Sequence, residues 1–284
     1  MNPTRTLTKS MAGIAATALV AGLAVAATTT TSQASAPAVS HAKSHAKSGS
    51  SFRVTLTVSD DEPVQGTTIK LKGQVKPLRP GTKVQLQKLY EGDDKWKLVD
   101  KDELNKNGKF KFKEVVDSVR VRQYRVVKPH QGERKAGESD PVTVTVFGWR
   151  DLTTLGPLFV TGTSETSNVK INGTDYPQSI QGNNYGNAGS ISYNIDRKCK
   201  RLETRVGLSD LSESTATGQV TLKADGSSFY SNSFGLTQSA AISRDVTGVF
   251  RLTFDWTSSN TEGTELDQSG AIIAIGSPRL LCSF

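Results

Sequence analysis

Val220–Tyr230 reads VTLKADGSSFY, and this stretch decides the fold class. Val220 and Leu222 alternate with Thr221 and Lys223, as in a half-buried strand, and Asp225-Gly226 supplies the positive φ that a type I′ hairpin turn needs. Outward from this hairpin, the same alternation predicts strands at Ser190–Ile195, Arg201–Gly207, Gln219–Ala224, Ser228–Asn232, Ala240–Val246 and Val249–Trp256. A further strand runs from Ala271 to near Ile275, with another piece at Arg279–Cys282. About eight strands in roughly 130 residues predict a sandwich of jelly-roll type.

The preceding block repeats the pattern. Strands are expected near Phe52–Val58, Thr67–Val75, Thr82–Tyr90, Lys95–Asp100, Lys109–Val116, Arg120–Lys128 and Pro141–Phe147. Turn-forming runs separate them, among them Lys-Pro-Leu-Arg-Pro-Gly at 76–81 and Asn-Lys-Asn-Gly at 105–108. Turns every ~8–12 residues describe an antiparallel sandwich and leave no room for crossover helices, which excludes a parallel α/β sheet. Gly108-Lys109-Phe110 followed by Tyr124-Arg125-Val126 resembles the immunoglobulin-like domains of secreted actinobacterial proteins, over roughly residues 52–147. That resemblance implies a spacer or binding accessory.

The fold class expected is therefore all-β, an immunoglobulin-like sandwich (52–147) and a jelly-roll sandwich (155–284) joined by a linker (148–154). Trp149 in that linker is expected to pack between the two domains.

Ahead of these blocks, Arg5 and Lys9 precede an uncharged, Ala/Val/Leu-rich run from Met11 to Ala27, and Ala34-Ser35-Ala36 offers a cleavage site. A signal peptide at 1–36 is expected, with Ala24-Val25-Ala26 as a second cleavage site and an uncleaved anchor as the alternative. No cysteine precedes Cys199, which excludes a lipid-anchored cysteine just after the signal. Residues 37–51 repeat Ser-His-Ala-Lys at Ser40–Lys43 and Ser44–Lys47 and read as a flexible tether. The mature protein is expected to be extracellular, secreted and without a membrane span.

The 284 residues carry a formal charge of +8, unevenly divided. Residues 1–51 contribute four basic groups and no acidic ones, residues 52–150 have 21 against 14, and residues 151–284 have 10 against 13. The excess thus sits in the tail and the first sandwich. Lys109, Lys111 and Lys113, then Arg120 and Arg122, recur at period two and would face outward, either as ordinary solvated strand faces or as contacts to an anionic cell-wall polymer. Nucleic acid is not an expected partner, because aromatic side chains for base stacking are not interleaved with the charge.

Cys199 and Cys282 are the two cysteines of the chain. An exported context and an even count argue for a disulfide, with two free buried thiols as the alternative. Closing a loop of about 84 residues would be worth roughly 4–5 kcal/mol in the chain-entropy account.

Six ordered phrases in the second block carry a second resemblance. They are Tyr176-Pro177-Gln178-Ser179-Ile180, Ile191-Ser192-Tyr193-Asn194-Ile195, Leu202–Asp210, Lys223-Ala224-Asp225-Gly226, Val246–Leu252 and Ser277-Pro278-Arg279-Leu280. Together they resemble the carbohydrate-binding module family associated with glycosyl hydrolase family 98, over about residues 155–283. The resemblance implies a galactose-binding-like fold and a non-catalytic glycan-binding role. The family commonly reads Trp-Ala-Asp-Pro where this chain has Ile275-Gly276-Ser277-Pro278.

A glycan site needs an aromatic plane for the sugar's C–H face and planar polar groups for its hydroxyls. Gln178, Asn183, Asn184 and Tyr185, with Gln181 and Asn187, form the richest such cluster and read as a glycine-punctuated loop, for which a plain polar loop is the alternative. Trp256 shares the face of Leu252 and Phe254 and reads as core, while Tyr176 and Tyr193 fit either role. Asp210 and Asp225 read as turn residues. No cofactor is expected; a structural Ca²⁺ is an open alternative in folds of this kind, although no Asp-x-Asp-x-Asp run signals it.

Catalytic chemistry is thinly supplied. One histidine, His130, lies beyond residue 50, no Gly-x-Ser-x-Gly or His-Glu-x-x-His motif occurs, and the cluster Glu262, Glu265, Asp267 sits in a Ser/Thr/Gly loop. The function expected is secreted, non-catalytic carbohydrate binding by the second block. A structural or protein-interaction role at the cell surface is the alternative.

Overall fold

A computed structural model describes residues 50–182, 188–259 and 270–284. The expected signal peptide, and the tether as far as residue 49, lie outside the described residues. Ser50, the tether's next residue, already touches the first sandwich, its Oγ accepting a hydrogen bond from Arg134 Nη1 at 2.7 Å.

The first sandwich is built from β1 (Arg53–Val58), β2 (Thr68–Lys76), β3 (Lys83–Tyr90), β4 (Lys97–Glu103), β5 (Lys109–Val115) and β6 (Val121–Lys128). It is completed by a two-residue β7 (Gly137–Glu138) and β8 (Val142–Thr145). One sheet has the order β1-β2-β5, the other β4-β3-β6-β7, with β8 also on β6. Alternation explains the core. On β5, Phe110 and Phe112 turn in while Lys109, Lys111 and Lys113 turn out. Ile69, Leu71, Val84, Leu86, Tyr124 and Val126 close over the two phenylalanines.

Arg122 departs from the outward position expected of it. Tyr124 and Val126 fix which face of β6 is buried, and period two then carries Arg122 inside as well. Its guanidinium is fully buried, donates to Ser118 Oγ at 3.0 Å and lies 4.9 Å from the Tyr90 ring centre.

Residues 148–154, expected as a linker, fold as β9 (Gly148–Asp151) and a 3-10 turn (Leu152–Thr154). The second sandwich continues with β10 (Phe159–Thr161), β11 (Thr163–Ile171), β12 (Thr174–Gly182), β13 (Ala188–Asn194) and β14 (Cys199–Leu208). It ends with β15 (Thr217–Ala224), β16 (Ser227–Gly235), β17 (Ser239–Asp245), β18 (Arg251–Ser259) and β19 (Ile273–Cys282). The two expected C-terminal pieces are thus one strand.

One sheet runs β10-β13-β18-β15-β16 and the other β11-β12-β19-β14-β17, with β9 paired to β19. Between them lie Ile191, Tyr193, Val220, Leu222, Phe254 and Trp256 from the first and Ile180, Leu202, Val206, Ile273, Ile275 and Leu280 from the second. The Asp225-Gly226 hairpin forms as read, with φ of 47° and 85° and Ala224 opposite Ser227. Cys199 and Cys282 are disulfide-bonded, on directly paired positions of β14 and β19.

Candidate functional site

The outer face of the six-stranded sheet gathers a run of polar and aromatic side chains. Leu202 and Val206 of β14 point into the core, so Glu203 and Arg205 point away from it. β19 places Gly276 opposite Arg205 and Arg279 opposite Glu203, while β9 adds Asp151 opposite Arg279 and Trp149 opposite Leu281. The result is a strip running Trp149, Arg279, Glu203, Arg205, Tyr176.

Each member is fixed by a neighbour. The Arg279 guanidinium lies 4.5 Å from the Trp149 ring centre and donates through Nε and Nη2 to Glu203 Oε2, at 3.1 and 2.6 Å. Both donors use the same carboxylate oxygen, so Oε1 has no partner among the described residues. Arg205 donates through Nε and Nη2 to Ser239 Oγ, at 3.0 and 2.8 Å.

The Tyr176 ring covers Gly276, where an added Cβ would stand 2.8 Å from the ring's Cγ. Ser277 beside it donates to the Pro177 carbonyl at 2.6 Å, and Ser179 Oγ accepts from the Ser277 backbone N–H at 3.0 Å. Tyr176, Glu203, Arg205, Gly276, Ser277 and Arg279 line a shallow cavity of about 380 Å³ that is open to solvent, with Thr204, Ala241 and Ile242 beside them. An apolar ring plane beside two guanidinium groups and a carboxylate can stack a pyranose and hold adjacent hydroxyls in pairs.

This face also lies where the chain departs from Trp-Ala-Asp-Pro. Gly276 leaves the space that Tyr176 fills, and Ser277, at φ 41°, ties the bulged strand to β12.

The ligand-binding residues expected from the sequence are placed unevenly. Gln178 and Gln181 belong to β12 rather than to a loop. Gln178 is exposed, at φ 52°, and its Oε1 accepts from Thr153 Oγ1 at 3.2 Å. Asn183, Asn184, Tyr185 and Asn187 lie outside the described residues, as do Glu262, Glu265 and Asp267. Tyr176 and Tyr193 part company. Tyr193 is buried in the core, and that burial pushes its phenol up to about 12.

Trp256 is core, as read, packed so closely that a Cβ on Gly189 would come within 2.3 Å of its ring. Trp149, at the joint, is 37% exposed, with the Arg279 guanidinium over its ring, and Phe147 beside it is 5% exposed, with Lys200 Nζ 4.4 Å from its ring centre and ion-paired to Glu62.

Asp210 and Asp225 act in turns. Asp210 accepts the backbone N–H groups of Asn172 and Gly173 at 2.7 and 2.8 Å. Asp225 accepts those of Arg251 and Phe250, which hold its carboxyl below the usual range. Among the described residues, no group of three or more His, Cys, Asp or Glu is placed to hold a metal ion, and no helix is long and apolar enough to cross a membrane.

Sheet and face together define a β-sandwich module with a shallow aromatic and polar surface. Residues 153–270 match the NPCBM/NEW2 domain, a carbohydrate-binding-like module. No curated protein matches the chain.

Among solved structures, the chain is similar to the CBM51-2 and INT domains of Clostridium perfringens ZmpB, at 11% identity and a TM-score of 0.38, over 57% of this chain and 37% of that one. It thus spans little more than a third of that structure. It is also similar to CBM51 from Clostridium perfringens GH95 in complex with methyl-galactose, at 14% identity and a TM-score of 0.36, over 46% of this chain and 99% of that one. A CBM36 module in complex with calcium and xylotriose matches at 14% identity and a TM-score of 0.26, over 47% and 98% of the two chains.

Proposed function

We propose that this chain is a secreted, non-catalytic carbohydrate-binding protein that engages a glycan through its C-terminal sandwich. The observation that carries the reading is the strip on the outer sheet face, where Tyr176, Glu203, Arg205 and Arg279 converge on one open cavity within and beside the NPCBM/NEW2 match. The six sequence phrases support placing the module with the family associated with glycosyl hydrolase family 98, and the first sandwich is read as an immunoglobulin-like spacer. That basic sandwich supplies a second, charge-driven contact with an anionic cell-wall polymer. Stacking and hydroxyl hydrogen bonds at so shallow a site give a dissociation constant of about millimolar to micromolar, or roughly 4–8 kcal/mol.

The direct experiment presents the full chain to an array of neutral and acidic glycans and follows reducing-sugar release from the same polysaccharides. Saturable binding to a defined glycan without hydrolysis is expected. A folded chain that binds no glycan would instead favour a scaffolding role at the cell surface, and sugar release would contradict the non-catalytic reading.

A further inference from the structure

The outer face of the β1-β2-β5 sheet carries a charge pattern that works against folding. The strand register sets Lys70 opposite Lys113, Lys72 opposite Lys111 and Gln74 opposite Lys109. On the other flank, Arg53 stands opposite Lys76, with Thr55 and Thr57 opposite Gln74 and Lys72. All of the cations in these pairs are exposed. Among the described residues, Lys70, Lys72, Lys109, Lys111 and Lys113 have no carboxylate within ion-pair distance. Glu114 of the same strand is drawn away to Lys88, at 2.8 Å, and Asp102 at the rim is held by the Lys111 backbone N–H, also at 2.8 Å.

Like charges directly opposite on adjacent strands destabilise a sheet, so an anionic partner laid across two consecutive Lys-Lys pairs would relieve their repulsion. The face is also shaped. Thr55, Thr57, Lys72, Gln74, Lys109 and Lys111 line a trough of about 460 Å³. Its floor is Gly73, where an added Cβ would collide with the Thr55 carbonyl oxygen and, at 2.4 Å, with the edge of the Phe110 ring.

We propose that this lysine ladder is a binding site for an extended anionic polysaccharide. Alternate residues on a strand stand about 6–7 Å apart, which is the order of one sugar residue, so successive rungs can meet successive charges. Thr55, Thr57 and Gln74 line the trough between them, their own side-chain donors turned onto the backbone carbonyls of Gln74, Lys72 and Asn107. Single-stranded nucleic acid fits less well, because Phe110, which also lines the trough, and Phe112 are buried, at 4% and 2% exposed, and present no open ring face for base stacking. The site rests on the reading that the first sandwich meets an anionic polymer, and it is separate from the face on the second sandwich.

The test compares the full chain with Lys70→Gln/Lys72→Gln/Lys111→Gln and with the charge-matched control Lys83→Gln/Lys95→Gln/Lys101→Gln. Binding to polygalacturonate is measured across a salt series, with dextran as the neutral probe and a single-stranded oligonucleotide as competitor. The ladder variant should bind polygalacturonate at least ~10-fold more weakly, with a salt dependence shallower by about two to three counterions, while the control stays within ~3-fold. Its melting temperature should hold or rise, because the opposed charges are relieved, and that separates lost binding from lost folding. Equal weakening in both variants would overturn the ladder as a site yet leave the polymer reading standing. No polygalacturonate binding by the parent chain would remove both, and preferential binding of the oligonucleotide would reassign the face to nucleic acid.

Discussion

Asp225 does two jobs with one side chain. With Gly226 it takes the positive φ of the hairpin turn, and its carboxylate ties that turn to the start of β18 through the backbone N–H groups of Arg251 and Phe250. Those hydrogen bonds favour the charged form and depress its pKa, which makes the tie pH-dependent. A depressed folded-state pKa stabilises above the ordinary carboxylate pKa, and the contribution fades as pH falls through the depressed value. Asp225→Asn keeps the turn propensity and removes the charge. Its melting temperature should lie below that of the parent chain at neutral pH, and the gap should close as both are melted in progressively more acidic buffer. A gap of constant size would show that the charge is not what the turn uses. Arg122 illustrates the opposite constraint, since a residue read as solvent-facing is carried inside by Tyr124 and Val126 on the same strand face.

Strands with clean alternation, such as β2, β5, β6 and β15, are legible because each buries one face. β11 and β12 are not. TSETSNVKI and TDYPQSIQG offer few apolar positions, and Pro177 interrupts the second. Yet Asn172-Gly173 joins them at φ 49° and 75°, with Ile171 opposite Thr174, the same two-residue turn as Asp225-Gly226. The signal was there and the polar strands beside it obscured it. The candidate face was half legible. Glu203 and Arg205 alternate with Leu202 and Val206 in plain view, but nothing local says that β19 lies between β12 and β14, and that long-range pairing is what brings Tyr176 and Arg279 to them. The disulfide pins the same pairing, joining β14 to β19 across a sequence separation of 83. Cys199→Ser/Cys282→Ser should lower the stability of the second sandwich by about 2–5 kcal/mol in denaturant unfolding. An unchanged midpoint would mean that strand packing alone holds β19 in place.

Taken as a pair, the sandwiches divide the chemistry. Basic charge collects on the first, while the second has a slight acidic excess and an aromatic, hydrogen-bonding face. Lys200 and Glu62 pair beside Phe147, and two residues, Val146 and Phe147, separate β8 from β9, the strand that joins the second sheet. The proposal assigns a charged polymer to the first sandwich and an individual sugar to the second. The claim on which the account turns is that the sugar sits on the outer sheet face. Isothermal titration of the preferred glycan into the parent chain, Tyr176→Ala and Glu203→Gln, with Gln178→Ala as the comparison, tests it most directly. The account predicts that Tyr176→Ala and Glu203→Gln each weaken binding at least ~10-fold while the chain stays folded at the titration temperature, and that Gln178→Ala changes it by less than ~3-fold. Full affinity in the first two variants, or its loss in Gln178→Ala alone, would contradict it.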